Sequence, residues 1–199
     1  MNTPAEYFDT LFAANEDPWA FRQRWYEKRK RDLSLAALLH QRYERIFEPG
    51  CANGELSLAL AERSDYFLGM DLCERAVDLA RDRLDGHAHA RIERGAIPSD
   101  WPPGQFDLIV LSEVGYYLEP AQWREVIQLT EQSLRPAGSI LACHWLHAID
   151  GCPMQGAQVH RMLSEHLTPP RQVRHRERDF LLEVWSADTA ALSLEEQIL

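Results

Sequence analysis

Short apolar strands alternate with amphipathic helices along the middle of this chain. The strand segments are 45–48, 66–70, 91–93, 106–111 and 139–143, and the helical segments between them are 56–61, 74–84 and 122–134. The segment Phe106–Leu111 is apolar on both faces, which is typical of a central strand in a parallel sheet. Strands that alternate with helices form βαβ units. The sequence therefore predicts an α/β fold with a mostly parallel sheet covered by helices on both faces.

The segments on either side of this region are predicted to complete one domain, because 199 residues suit a single core. At the N-terminus we expect a short helix near Glu6–Ala13 and a longer helix from about Trp19. At the C-terminus we expect a helix over 157–166 and then an antiparallel hairpin of strands 172–175 and 180–185, which brings the sheet to seven strands. The predicted parts are a helical lid (1–40), an α/β core (41–186) and an acidic tail (187–199).

The charge balance and the cysteines limit the kinds of partner and compartment. Asp and Glu number 31 against 21 Lys and Arg, a net charge of -10, which argues against a nucleic acid because phosphate binding draws on Lys and Arg. The sequence contains no run of about 18 apolar residues and no signal-peptide pattern, so no membrane partner is expected. The four cysteines form no CxxC pair, which predicts free thiols, no metal site and a cytoplasmic protein.

The loop Glu48-Pro49-Gly50-Cys51-Ala52-Asn53-Gly54 joins the first strand of the sheet to a helix, where backbone amides can face a ligand. It is not a phosphate-binding P-loop, because Gly54 is followed by Glu55-Leu56 instead of Lys and Ser or Thr. It is not a dinucleotide fingerprint, since Ala52 and Glu55 stand where that motif has its second and third glycines. It matches the Glu/Asp-x-Gly-x-Gly-x-Gly loop of class I S-adenosylmethionine methyltransferases, with Ala52 at the middle glycine.

The chemistry of S-adenosylmethionine fits this loop and the end of the next strand. The molecule is a cationic sulfonium with an amino-acid tail and an adenosine, so it needs close backbone approach at Gly50 and Gly54. It also needs a nearby acid, Glu48, to offset its positive charge. A second acid is expected after the next strand to accept the two ribose hydroxyls, and Asp71 stands there. The sequence therefore predicts S-adenosylmethionine as the cofactor and S-adenosylhomocysteine as its product.

Several further motifs extend this resemblance over about residues 17–163. They are Trp19, Phe21, Trp25-Tyr26-Glu27, Phe47–Cys51, Pro98, Trp101-Pro102, Phe106–Leu118 and Cys143-His144-Trp145. In this order they resemble the nodulation protein S (NodS) family of S-adenosylmethionine-dependent N-methyltransferases. The resemblance implies a Rossmann-like class I methyltransferase fold and methylation of a free amine, in the best-known members the deacetylated terminal glucosamine of a chitin-type oligosaccharide. The chain departs from the family at Ala52-Asn53 and at His147-Ala148.

Site residues are expected beyond the carboxyl ends of the strands, where open α/β sheets bind their ligands, and in the N-terminal segment. The predicted cofactor-binding residues are Trp25, Tyr26, Lys30, Glu48, Gly50, Cys51, Gly54, Asp71, Leu72, Ala96, Ile97 and Ser112. For the acceptor we predict Trp19, Tyr116 and Trp145, because aromatic faces suit a sugar. The predicted catalytic residues are Glu113, which takes the proton of the amine, Tyr117, which orients the acceptor, and His144, a competing base.

Alternatives stay open at this point for the function and for one basic run. The acceptor is predicted to be a small-molecule or oligosaccharide amine, but a small-molecule N- or O-methyltransferase of other specificity fits the same loop. So does a non-catalytic module that binds the cofactor and has a filled acceptor pocket. The run Lys28-Arg29-Lys30-Arg31 is read either as a solvated helix face or as a source of one cation, Lys30 or Arg31, for the carboxylate of the cofactor.

Overall fold

A computed structural model describes residues 5–188, which form seven strands and six α-helices. The strands are β1 (Tyr43–Pro49), β2 (Ser64–Asp71), β3 (Ala90–Arg94), β4 (Phe106–Ser112), β5 (Leu134–Trp145), β6 (Arg171–Arg176) and β7 (Phe180–Ser186). The helices are α1 (Ala5–Ala14), α2 (Trp25–Ala36), α3 (Ser57–Ala61), α4 (Glu74–Arg83), α5 (Pro120–Ser133) and α6 (Gly156–His166), and one 3-10 turn covers Gly115–Tyr117. Residues 189–199 of the predicted acidic tail lie outside the described residues.

The seven strands form one sheet in the order β3-β2-β1-β4-β5-β7-β6. Strands β1 to β5 are parallel where they pair, while β7 runs antiparallel to β5 and β6 antiparallel to β7. The predicted Rossmann-like fold with its C-terminal antiparallel hairpin is thereby confirmed. The strand order reverses between β1 and β4, and in open α/β sheets ligands bind beyond the carboxyl ends of the strands at such a point.

Both faces of the sheet are buried, as the apolar sequence of β4 predicts. On one face Ile46 and Leu108 pack with residues of α3 and α4, and on the other Ile109 and Leu111 pack with residues of α5 and α6. The third apolar cluster joins α1 to α4 and includes Phe8, a residue of the predicted lid. This arrangement covers the sheet and leaves α1 over the carboxyl ends of the strands.

The second helix begins at Trp25 and not at Trp19, so the prediction of a longer helix from Trp19 is wrong. Residues 18–23 form turns in which Ala20 has a φ of 57°, in the left-handed region. The carboxylate of Asp17 accepts the backbone N–H groups of Phe21 and Arg22 at 2.8 and 3.0 Å. These bonds hold a compact turn that interrupts the helix, and they direct Trp19 and Phe21 toward the cavity described below.

Two features are absent from residues 5–188, a membrane-spanning helix and a cluster of metal-ligating side chains. No helix in that range is both long and apolar enough to cross a bilayer. The same residues contain no group of three or more His, Cys, Asp or Glu side chains placed to hold a metal ion. All four cysteines are free thiols, with Cys51, Cys73 and Cys143 buried.

Candidate active site

A cavity of about 520 Å³ lies beyond the carboxyl ends of the central strands and beneath the N-terminal helices. Its volume is within the range of small-molecule sites. Twelve of the predicted site residues line it: Trp19, Tyr26, Lys30, Gly50, Asp71, Leu72, Ala96, Ile97, Glu113, Tyr116, Tyr117 and Trp145. Six do not line it: Trp25, Glu48, Cys51, Gly54, Ser112 and His144. The structure therefore brings most of the predicted site together in one place.

Helix α1 closes the cavity with an aromatic edge. Phe8 packs edge-on against Tyr117, with ring centroids 4.9 Å apart, and Phe12 packs against Trp19 at 5.7 Å. Phe8 and Phe12 are buried, and they also line the cavity. These contacts place aromatic rings of α1 along the cavity.

The turn of the loop at position 50 requires glycine, because a side chain has no room there. Gly50 has a φ of 73°, and a Cβ at this position would approach Val114 Cγ2 to 3.1 Å. The backbone N–H groups of Gly50 and Cys51 both donate to the carbonyl of Met70, at 2.7 and 3.0 Å. Ala52 itself adopts a φ of 49°, a left-handed conformation that glycine takes more readily. This is why the family pattern has glycine where this chain has Ala52.

Glu48 lies behind the loop and not on the cavity wall. It is 3% exposed, and its Oε2 accepts a hydrogen bond from the hydroxyl of Ser57 at 2.5 Å. Burial raises the pKa of Glu48 to about 8, and the nearby Asp71 adds to the shift. The carboxyl therefore joins the loop to the start of α3, which agrees with the predicted ordering of the loop and not with direct contact to a ligand.

Asp71 ends β2 and accepts backbone N–H groups from the segments that follow β1 and β2. Its Oδ2 accepts the N–H of Ala52 at 2.9 Å, and its Oδ1 accepts the N–H of Cys73 at 3.0 Å. A carboxylate has about four lone-pair sites, so each oxygen keeps capacity for one further donor from the cavity. Ala96 also lines the cavity, and its N–H donates to Asp100 at 2.9 Å. The neighbouring Ile97 is an apolar residue of the cavity lining.

A buried ion network lies at the other end of the cavity, between α2 and the loop after β4. The Nζ of Lys30 is 2.6 Å from Glu113 Oε1 and 2.9 Å from Glu27 Oε2. Burial alone would lower the pKa of Lys30, but the charge of Glu113, with smaller contributions from Cys143 and Glu27, outweighs burial and raises it. Lys30 is therefore a permanent ammonium that two carboxylates hold, and it does not serve as a free cation for the cofactor.

The carboxylate of Glu113 accepts three hydrogen bonds within the protein. Besides Lys30 on Oε1, its Oε2 accepts the backbone N–H of Trp145 at 3.0 Å and the hydroxyl of Tyr116. Glu113 has a φ of 54°, so its backbone is in the left-handed region that disfavours a side chain. These three bonds hold the residue in that conformation and join α2, β4 and β5 at the cavity wall.

Tyr26 and Glu27 are less fully engaged than Glu113. The hydroxyl of Tyr26 is buried and has no hydrogen-bond partner among residues 5–188. Burial raises the pKa of Tyr26, so the group is a neutral phenol. Glu27 is 8% exposed and contacts one cation in the described part of the chain, Lys30. Both residues line the cavity.

His144 is fully buried behind the cavity and belongs to a separate chain of contacts. Its Nε2 accepts the backbone N–H of Gly115 at 3.1 Å, and its Nδ1 is 3.2 Å from Nε2 of His160. The Nδ1 of His160 is in turn 2.7 Å from Glu183 Oε2. Burial, with the charges of His160 and Lys30, holds the pKa of His144 well below its usual value. The geometry therefore argues against His144 as a base that reaches the acceptor.

The remaining predicted residues outside the cavity have structural contacts of their own. Trp25 is 68% exposed at the start of α2, with Lys28 Nζ 5.7 Å from its ring centroid. Cys51 packs behind the loop, and Gly54 approaches Ala80 of α4. Ser112 ends β4 beside Cys143. None of these four lines the cavity.

Two charged residues on the cavity wall, Arg24 and Glu27, were not predicted. Arg24 immediately precedes α2, and its position carries no pattern that distinguishes it from the arginines nearby. Glu27 has a signal in the sequence, since it stands three residues before Lys30 on a predicted helix, a spacing that brings two side chains together on one face. Because the helix was predicted to start at Trp19, the direction of the face that carries Glu27 and Lys30 was not predicted.

Known methyltransferases are similar to this chain in sequence. A methyltransferase domain family matches residues 46–138. A nodulation protein S of Rhizobium tropici is 29% identical over 130 residues, which are 64% of this chain and 55% of that protein. The chain thus matches little more than half the length of this curated relative.

Two crystal structures are similar over most of their length. A protein of Pseudomonas syringae that is assigned as a methyltransferase is 50% identical, with a TM-score of 0.74 over 82% of this chain and 99% of that one. The N-methyltransferase NodS of Bradyrhizobium japonicum WM9, in complex with S-adenosyl-L-homocysteine, is 26% identical, with a TM-score of 0.81 over 92% of this chain and 97% of that one. With the cavity, the loop and Asp71, these matches confirm the resemblance: the chain belongs to the class I S-adenosylmethionine-dependent methyltransferases and is similar to nodulation protein S.

Proposed function

We propose that this protein transfers a methyl group from S-adenosylmethionine to a primary amine, such as the deacetylated glucosamine of a chitin-type oligosaccharide or a related glycan. The observation that carries the proposal is the charge at the α2 end of the cavity. Two carboxylates, Glu27 and Glu113, contact one ammonium, Lys30, so this ion network by itself carries one negative charge in excess. An end of this kind attracts a cationic amine and disfavours a phenolate or a carboxylate.

The opposite end of the cavity suits the cofactor. Gly50 allows close approach of the backbone, Asp71 has lone pairs for two ribose hydroxyls, and Ile97 provides an apolar contact for adenine. Arg24, which immediately precedes α2, lines the cavity without a described ion-pair partner, so we assign it, in place of Lys30, to the carboxylate of the amino-acid tail, which then extends toward α2. When bound, S-adenosylmethionine supplies an electrophilic methyl group on a cationic sulfur.

Aromatic residues around the α2 end suit an acceptor with a sugar ring. Trp19, Tyr116, Tyr117 and Trp145 line the cavity, and aromatic faces pack well against the C–H groups of a sugar. We assign Tyr117 to orienting the acceptor. Glu113, with three donors on its carboxylate, is assigned to fixing the wall and its charge. The main role of these residues is to hold the nucleophile in line with the methyl group. Such positioning can lower the activation free energy by up to about 7–11 kcal/mol.

Two alternatives to this function differ in the site that they need. A non-catalytic module would have its acceptor end filled, and the extension of the cavity to Tyr117 and Trp145 argues against it. A methyltransferase for other small molecules would need a cavity that accepts neutral or anionic groups, and the excess negative charge beside Glu27 argues against an acidic acceptor. The amine function is therefore the one that the cavity supports best.

The compartment and the partners that we propose follow from the thiols and the charge. Free cysteines, three of them buried, suit a reducing compartment such as the cytoplasm. A net charge of -10 gives no support to a nucleic-acid partner. The partner proposed is therefore an amine-bearing small molecule or oligosaccharide.

The acceptor is tested with a chitin oligomer that carries one deacetylated glucosamine and with the fully acetylated oligomer. We expect the protein to methylate the first on nitrogen and to leave the second unchanged, because the lone pair of an amide nitrogen is delocalised into its carbonyl. Mass spectrometry of the products locates the methyl group. Equal turnover of both oligomers, or a methyl group on oxygen, would contradict the proposed function.

Binding of the cofactor product tests the assignment of Asp71. S-Adenosylhomocysteine at 100 times its Kd should stabilise the protein by about 2.7 kcal/mol in a thermal melt. We expect Asp71→Asn, which keeps the shape but removes the charge, to weaken the affinity about 10- to 100-fold, the usual effect of losing hydrogen bonds to a charged group. Asp100→Asn, which alters a carboxylate on the adjacent loop outside the cavity lining, is the matched control. Unchanged affinity of the Asp71 variant in a calorimetric titration would show that this residue only caps the strand end.

A further inference from the structure

The amine must lose a proton before it can attack, and the structure offers two carboxylates for this proton. The amine nitrogen of an ammonium ion has no lone pair, so a base in the site is needed near neutral pH. Glu113 and Glu27 both line the cavity and stand on opposite sides of Lys30. Their surroundings differ, and that difference decides which of them can accept a proton.

Glu113 is poorly suited to be the base because three of its about four lone-pair sites are already used, including both sites of Oε2. Lys30, the hydroxyl of Tyr116 and the backbone N–H of Trp145 all donate to it. A proton on the remaining site of Oε1 would share that oxygen with the ion pair to Lys30. The residue is held in a left-handed backbone conformation, so its carboxylate has little freedom to move toward an acceptor.

Glu27 has the free capacity that Glu113 lacks. It is 8% exposed, lines the cavity, and its contact with a charged group in residues 5–188 is the ion pair of its Oε2 with Lys30. Its Oε1 takes part in no described hydrogen bond. The preceding residue, Tyr26, presents a buried hydroxyl that also lacks a hydrogen-bond partner in the described chain. One carboxylate oxygen and one phenol oxygen, both acceptors, thus border the same end of the cavity.

We propose that Glu27 binds the ammonium group of the acceptor and removes its proton, while the hydroxyl of Tyr26 orients the nitrogen. One N–H bond of the ammonium breaks, its electron pair stays on nitrogen as the attacking lone pair, and the proton forms an O–H bond on Glu27. Lys30 stays protonated and paired with Glu113 throughout. This inference rests on the proposed amine function.

The other titratable groups around Glu27 do not compete for this proton. Lys30 and Tyr26 lie on its own helix, and both have raised pKa values, so they keep their protons near neutral pH. Tyr116 follows β4 with its hydroxyl on Glu113, and burial raises its pKa well above the usual value. Cys143 on β5 is buried, which raises its pKa to about 12. Glu27 is the group in this set whose carboxylate has an unused acceptor.

The test is Glu27→Gln, assayed from about pH 6 to pH 9 with the glucosamine-bearing chitin oligomer. At pH 7 we expect kcat/KM to fall about 5- to 10-fold, because only about a tenth to a fifth of such an amine is free base there and can react without a base in the site. At pH 9, where the amine is largely free base, we expect the variant to approach the parent. A role for Glu27 in packing alone would lower activity equally at both pH values. Asp32→Asn, an exposed carboxylate on the same helix, should leave the profile unchanged.

Two measurements without turnover accompany this assay. Calorimetric titration of the oligomer into the protein at pH 7 should show about tenfold weaker binding for Glu27→Gln, because the ammonium loses its counter-charge. Affinity for S-adenosylhomocysteine should not change. Tyr26→Phe removes one hydroxyl without changing the charge. It should raise KM for the oligomer severalfold and keep the pH profile of the parent. This variant also serves as the test if Glu27→Gln fails to fold.

The outcomes separate this inference from the proposed function. If the parent methylates the amine and Glu27→Gln matches it at pH 7, or stays equally low at pH 9, Glu27 is not the base although the function stands. If Tyr26→Phe matches the parent in KM, the hydroxyl does not orient the nitrogen. If the parent methylates no amine, the proposed function fails and this inference fails with it.

Discussion

Glu113→Gln is expected to lower turnover about 10- to 100-fold at every pH between 6 and 9, while affinity for S-adenosylhomocysteine stays nearly constant. The physical reason is a mismatch of donors and acceptors. Three donors, from Lys30, Tyr116 and the backbone of Trp145, converge on this carboxylate. A glutamine has one acceptor oxygen and one donor nitrogen, so either orientation directs N–H groups at a donor.

The consequences of that mismatch reach the cavity wall. If the amide nitrogen faces Lys30, a buried ammonium keeps only Glu27; if it faces Trp145, a backbone N–H loses its acceptor. A buried donor without a partner costs about 1–3 kcal/mol, so the loop after β4 should shift. Because that shift alters geometry and not proton transfer, raising the pH should not restore turnover, which distinguishes this variant from Glu27→Gln.

Tyr116→Phe provides the graded comparison for this prediction. It removes one of the three donors on Glu113 and leaves the charge pair with Lys30 in place. We expect a decrease in turnover of about tenfold, since one hydrogen bond to a charged group contributes about 1.5–3 kcal/mol. Parental turnover of Glu113→Gln across the pH range would show that the carboxylate has no part in the reaction.

The cofactor half of the site was predictable because its chemistry is local in sequence. Gly50 and Asp71 each follow a strand directly, and parallel strands bring their carboxyl ends to one edge of the sheet. The loop needs backbone amides and a φ of 73° at Gly50, which glycine supplies without a partner elsewhere. A motif of this kind determines its own geometry, so its spacing in the chain was sufficient to predict the cofactor half of the site.

The acceptor half depends on contacts between distant segments, which no local pattern records. Lys30 and Glu113 are 83 positions apart in the chain and meet at 2.6 Å, so the sequence offered Lys30 to the cofactor instead. His144 lies near the carboxyl end of β5, as Glu113 lies just after β4, yet its ring contacts His160 and does not line the cavity. Strand position predicted that both residues lie near the site, but the direction of a side chain depends on what packs against it.

The turn before α2 shows the same limit at the level of secondary structure. Asp17 before Pro18 is a valid helix start, but its carboxylate caps the backbone at Phe21 and Arg22. Trp19 then packs on Phe12 and on Phe21. Burial of these rings under α1 outweighs the helix propensity of six residues, which is small for so short a segment. Tertiary contact thus moved the helix start to Trp25 and set the face on which Glu27 and Lys30 lie.

The second large effect is expected in the buried chain behind the site. His160→Leu should lower the free energy of unfolding by about 3–5 kcal/mol, the usual cost of breaking a buried charged contact by removing one partner. His160 is 2% exposed and joins His144 to Glu183, which is 1% exposed. In the variant, Nδ1–H of His144 and Oε2 of Glu183 lose their partner, although Arg171 still contacts Glu183 Oε1 at 2.8 Å.

The measurement is chemical denaturation at pH 7.5. Burial holds the pKa of His144 below its ordinary value, so the stability that its neutral form contributes is fully present above about pH 6.5 and is lost as the pH falls. His166→Leu is the matched control, because His166 is exposed at the end of the same helix and should change stability by less than about 0.5 kcal/mol. Since His144 accepts the N–H of Gly115, two residues after Glu113, loss of His160 should also loosen the cavity wall and reduce turnover. Equal stability of the two leucine variants would show that the ring nitrogens of His160 contribute nothing beyond packing.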